Sequence, residues 1–156
     1  MLGYAAFFML VFVIAMVVFF QMQSQELSRA ENAFAQEVAY SFADSIRTAF
    51  IAGSGFSQSV AVPPDILGKP YVIGVSHSGD PGISETGFVY VYWQGQLRNA
   101  SLSAPTVTSD YGMVTSGSFM TGDKGAEIIR INPAGNCQVV NMTNINGRII
   151  FSKGCA

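Results

Sequence analysis

No proline or glycine interrupts the chain between Tyr4 and Ala52, and its first charged side chain is Glu26. Residues 1–20, MLGYAAFFMLVFVIAMVVFF, depart from apolarity only at Gly3 and Tyr4, and residues 21–25 extend the charge-free run to 25 residues. As a helix such a run is long enough to cross a hydrocarbon core of about 30 Å. A secretory signal peptide would show a basic start, a shorter apolar core and a small-x-small cleavage site, and none of these precedes Gln21. A membrane anchor is oriented by Lys or Arg on its cytoplasmic side. No cation precedes this helix, and a basic leader removed by processing is the expectation that would explain it.

The helical pattern continues past the apolar run. Leu27, Ala30, Phe34, Val38, Phe42, Ile46 and Phe50 recur at spacings of three and four, which predicts an apolar stripe along a second, amphipathic half. Glu26 with Arg29 and Asp44 with Arg47 have the i,i+3 spacing of weak ion pairs. Gly53-Ser54-Gly55 supplies a C-cap and predicts a hinge at Gly53 and Gly55. An unbroken helix over 2–52 would measure about 75 Å at 1.5 Å per residue. An anchor needs only its first half; the second asks for a partner, either its own globular domain or the helices of neighbouring subunits.

Beyond Phe56 the helical period vanishes and turn residues recur at short intervals. Strands are predicted at 71–76, 88–93, 96–102, 105–109, 112–120, 126–132, 138–143 and 148–152. In the strongest, FVYVYW, Phe88, Tyr90 and Tyr92 fall on one face and Val89, Val91 and Trp93 on the other. The fold class is therefore α+β: a long N-terminal α-helix over 1–53, apolar then amphipathic, followed by an all-β sandwich or small barrel over 54–156.

The only two cysteines, Cys137 and Cys155, centre on Asn146. A three-residue loop Ile145-Asn146-Gly147, with Gly147 in the left-handed position, would set them opposite each other across a hairpin. A disulfide there would contribute about 3 kcal/mol by loop-entropy arithmetic and fits an exported chain. Asn99-Ala100-Ser101 and Asn141-Met142-Thr143 are sequons, so Asn99 and Asn141 are candidate N-glycan acceptors.

Charged residues make up 12% of the chain and the net charge is −2, which lacks the basic footprint of a nucleic-acid binder. The one histidine, His77, has no Cys or His at metal-ligand spacing, and in its Gly/Ser context it reads as a loop residue rather than a partner of Ser76 or Ser78. The ten carboxylates are scattered, and GSGF and GDKG match no phosphate loop. Met1, Met9, Met16 and Met22 read as packing residues. Nothing in this pattern supports an enzyme, a metal or a cofactor.

An apolar-then-amphipathic N-terminal helix ahead of a β-rich head resembles the type IV pilin superfamily. Ala5, where bacterial pilins carry Glu, and DILGKPYVIGV, which looks like the entry to the first head strand, are similar to the archaeal branch, whose β-sandwich heads commonly carry N-glycans. The resemblance implies the major subunit of an extracellular filament serving adhesion or motility. Its implied partners are the membrane before assembly, a prepilin peptidase, an assembly ATPase, a platform protein, and identical subunits afterwards. In that reading Phe7, Phe8, Leu10, Phe12, Ile14, Phe19, Phe20, Leu27, Phe34, Val38, Phe42 and Ile46 pack helices together in the filament core, with Gly3, Ala5, Ala6 and Ala15 allowing close approach. The rivals are a single-pass, membrane-tethered β-domain that never polymerises, a minor pilin of a secretion or motility machine, and a filamentous-virus coat protein.

Overall fold

A computed structural model describes residues 2–76, 87–94, 99–108, 110–114, 118–122, 128–133 and 137–155. It contains one helix, α1 (Leu2–Ile51), of 50 residues. Nine strands follow: β1 (Ser57–Ala61), β2 (Tyr71–Ser76), β3 (Phe88–Gln94), β4 (Asn99–Pro105), β5 (Tyr111–Met113), β6 (Met120–Gly122), β7 (Ile128–Ile131), β8 (Val139–Ile145) and β9 (Arg148–Lys153). They form two sheets, ordered β1-β8-β9-β5 and β4-β3-β2-β7-β6. All pairings are antiparallel except β5 with β9. The head is thus a sandwich rather than a closed barrel.

The C-terminal half of α1 packs against β3 and β4 of one sheet and β1, β8 and β9 of the other. Its buried stripe runs Ala35, Val38, Ala39, Phe42, Ala43, Ile46, Ala49. The four alanines let the strands approach the helix backbone, while Phe42 and Ile46 fill the space between sheets. Phe42 lies 5.9 Å from Phe151 of β9, which lies 5.7 Å from Tyr111 of β5, so one aromatic row crosses the core. Inward-facing Ile73, Val75, Val89, Val91, Ile131, Val140, Met142 and Ile149 complete it.

Several expectations are corrected. The sequence reading assigned no strand to 57–61, yet β1 pairs with β8; SQSVA is a polar edge strand, which needs only one half-buried face. DILGKPYVIGV therefore leads into the second head strand, not the first. Of the predicted strand 105–109, Pro105, which has no N–H for the ladder, is the last residue of β4, and 106–108 are a loop. The predicted strand 112–120 divides into β5 and β6, which belong to different sheets. Arg29 pairs with Glu26 at 3.3 Å, but Asp44 and Arg47 form no ion pair. His77 lies outside the described residues.

Cys137 and Cys155 are disulfide-bonded, with Cα atoms 5.6 Å apart. The reasoning from a three-residue loop is off by one, however. Ile145 pairs with Arg148, so the turn has two residues. Asn146 (φ 54°) and Gly147 (φ 89°) both adopt the left-handed region, the pattern of a type I′ turn. Regular pairing ends at Val140–Lys153, and the disulfide closes the slack beyond it.

Candidate functional site

The site is the boundary between a bare half-helix and one seated in the head. Every described side chain of α1 before Glu31 is exposed. Phe7, Phe8, Leu10, Phe12, Ile14, Phe19 and Phe20 are between 55% and 68% exposed. This stretch is long and apolar enough to cross a membrane, and none of its apolar window is buried by the chain's own head. Seven residues of this kind, each worth about 1.5–3 kcal/mol when buried, cannot rest against water. Met9, Met16 and Met22 belong to the same surface.

From Glu31 the helix enters the head, and three residues expected to join subunits leave that role. Val38, Phe42 and Ile46 are 7%, 1% and 0% exposed, buried against their own sheets. The stripe is apolar, as its spacing predicts, and of its two expected partners it is the chain's own head that covers it. Phe34 is half-buried and lines, with Glu37, Val38, the end of β1 and the following Val62 and Pro63, a groove of about 180 Å³. Leu27 remains on the bare half, 42% exposed. The face of the second half turned away from the head is largely polar: Gln36, Glu37, Asp44 and Arg47 are all exposed.

Two polar fastenings hold this half in place. At its upper end, the Lys69 ammonium donates to Glu31 Oε1 at 2.5 Å, with the Glu31 side chain 3% exposed. Lys69 is presented by a tight turn in which Leu67 (φ 50°) and Gly68 (φ 80°) are left-handed and Gly68 N–H donates to Asp65 Oδ1. At its lower end, the buried Asn144 donates from Nδ2 to the Ala49 and Phe50 carbonyls at 3.0 and 3.3 Å. Its Oδ1 accepts from Gly147 N–H, and its backbone pairs with Gly55 and Phe56.

Gly53 (φ 88°) and Gly55 (φ 90°) lie at the junction of rod and head, in backbone shapes that favour glycine. At the expected hinge, hydrogen bonds fasten rod to head. Asn144 satisfies helix-end carbonyls that would otherwise need water, and Ser54 Oγ bonds with Asn146. Sequence reasoning missed Glu31, Lys69 and Asn144. The one usable signal was a carboxylate at 31 in phase with the buried stripe.

The sequon residue Asn141 sits in β8, on the outer face of its sheet, and its Oδ1 accepts from Ser59 Oγ at 2.7 Å. Thr143 of the same sequon bonds with Ser57. Asn99 opens β4 at the register position opposite Gln94. Elsewhere in the head, Tyr111 shares hydrogen bonds with the Thr106 hydroxyl and the Thr108 carbonyl. Burial pushes the Tyr111 hydroxyl up to about 12, against the lowering effect of the Thr106 bond. Burial, with the Asp65 charge, also raises that of Tyr71. Among the described residues no three His, Cys, Asp or Glu side chains gather as metal ligands would.

The class these features define is a β-sandwich head on one long N-terminal helix whose first half is apolar and bare, an architecture that resembles pilins. No protein-family model matches the chain, and neither does any curated protein or solved structure.

Proposed function

We propose that this chain is the major structural subunit of an extracellular filament of the type IV pilus kind, similar to those of archaea. The subunit waits in the membrane by the apolar half of α1. On assembly that half moves from lipid into a bundle made with identical subunits, helically repeated so that the contact never closes on itself. The heads form the outer layer, serving adhesion or motility. A processing peptidase, an assembly ATPase and a platform protein are the partners this route requires.

The observation carrying the reading is the unpartnered apolar surface from Phe7 to Phe20, which the head leaves wholly bare. The bundle draws on Phe7, Phe8, Leu10, Phe12, Ile14, Phe19, Phe20 and Leu27, while Val38, Phe42 and Ile46 serve the head. The test is Phe12→Asp in the native host, read by electron microscopy of sheared surface material. Loss of fibres with the head still folded is the expected result; fibres of normal number and length overturn it.

A second reading, a single-pass tether that never polymerises, draws support from one feature. The outward face of 31–49 is largely polar, Ala33 and Tyr40 aside, so that half has little apolar surface for a neighbour to cover. A tether yields no fibres from the unaltered chain, which separates the two readings directly.

A further inference from the structure

β3 turns an aromatic row outward from its sheet. Phe88 and Tyr92 are 38% and 39% exposed, whereas the alternating Val89, Val91 and Trp93 are buried. Ring centroids follow one another at 6.1 and 5.9 Å, and the planes of Tyr90 and Tyr92 differ by 23°. The register positions beside Tyr90 are small, Ser103 on β4 and Gly74 on β2, while Tyr92 lies between Ser101 and Val72 and Phe88 opposite Pro105. Gly74 also pairs with the exposed Arg130 of β7. With no side chain on Gly74, nothing from β2 stands between the positions of Tyr90 and Arg130. The guanidinium's influence is felt across that gap: burial and Tyr90 raise the Tyr92 pKa, and Arg130 pulls against them.

Past Tyr92 the row runs into an open depression of about 370 Å³, lined by Pro70, Val72, Tyr92, Trp93 and Gln94 among others. A flat aromatic row, a neighbouring amide and a single cation share this outward side of the sheet.

We infer that this face binds an acidic polysaccharide, a chain of sugar rings bearing carboxylates. One side of a pyranose ring presents C–H bonds, which pack on the negative face of an aromatic ring. Successive sugars need successive rings, and β3 provides three. The small residues on both sides of Tyr90 leave room there for a chain to lie along the strand. Arg130 answers the carboxylates, since a guanidinium pairs with them bidentately. Single-stranded nucleic acid also stacks on aromatic rows, but it is held in a positively charged groove that tracks its phosphates; here Arg130 is the only charged residue among those described on this face, and sugar rings are held by their C–H contacts to β3 with the guanidinium meeting one carboxylate. Among the described residues, a second copy docking through the same face brings no carboxylate to meet it. The inference holds whether or not the chain polymerises.

The test is calorimetric titration of the full chain, produced without N-glycosylation and held in detergent micelles. The probes are oligogalacturonate, a neutral dextran oligomer and single-stranded DNA of matched length. Oligogalacturonate is expected to bind at least roughly tenfold more tightly than dextran or DNA. Tyr92→Ala and Arg130→Gln each weaken it by roughly tenfold, the scale of one lost stacking or charge contact, and Tyr92→Phe does not. Unchanged melting of all three variants shows that the head is intact. Equal or tighter binding of dextran or DNA, no binding of oligogalacturonate, or binding that survives both substitutions overturns the inference. So does concentration-dependent dimerisation abolished by Tyr92→Ala, which gives the face to a second copy.

Discussion

Glu31 is the first residue at which α1 meets the head, and its buried carboxylate is met there by the Lys69 ammonium at 2.5 Å. The pair joins a helix to a turn 38 residues further on. Stranding a buried charge costs more than the pair itself contributes. Lys69→Met is therefore expected to destabilise the head by about 3 kcal/mol, and the double variant Glu31→Gln with Lys69→Met by clearly less. Urea unfolding of the detergent-held chain measures both.

Asn144 ties the end of α1 to the β8–β9 turn through three side-chain hydrogen bonds. Asn144→Ala leaves the Ala49 and Phe50 carbonyls and the Gly147 N–H without this partner. The expected cost is about 2 kcal/mol. Hydrogen exchange should show the last turn of α1 opening ahead of the strands, and equal protection throughout would contradict this fastening.

The two halves of α1 should answer substitution differently. Phe42→Ala opens a cavity beside Phe151 and costs the head about 3–5 kcal/mol. Phe12→Ala touches nothing in the head and leaves its unfolding midpoint unchanged. Thermal melting followed by near-ultraviolet circular dichroism compares them.

Alkaline stability follows from the buried phenols. Tyr111 is raised from 10.0 to about 12, and Tyr71 is raised as well. A raised folded pKa means that the native state favours the neutral phenol. Their contribution is complete below pH about 10, the unfolded value, and fades as the pH climbs to about 12. Difference absorbance should show these two tyrosines ionising late, together with unfolding, and Tyr111→Phe should flatten that part of the pH profile.

The long helix was legible because its signals are local: no breaker over 49 residues from Tyr4 to Ala52, then Gly53. The alternation in FVYVYW placed β3 and both its faces correctly for the same reason. What eluded the sequence depends on distant partners. β1 is too polar to announce itself and exists because β8 lies beside it. The stripe of Val38, Phe42 and Ile46 reads as apolar, but only the fold shows that the chain's own sheets cover it. Glu31 looks like any helical carboxylate until Lys69 is brought to it, and Asn144 looks like a strand residue until the helix end arrives above it. The cysteine pairing was found through a loop one residue too long, which the disulfide's reach forgave.

Residues 21–30 form a neck of α1 that is exposed on every side, ten residues lying between the greasy tip and the point where the head takes hold. At 1.5 Å per residue this is a spacer of about 15 Å. The fastenings at Glu31 and Asn144 fix the direction in which this neck leaves the sandwich. In the proposed filament, a gap of that height would clear the width of one more helix, about 10 Å, and would give a neighbour passage beneath the head.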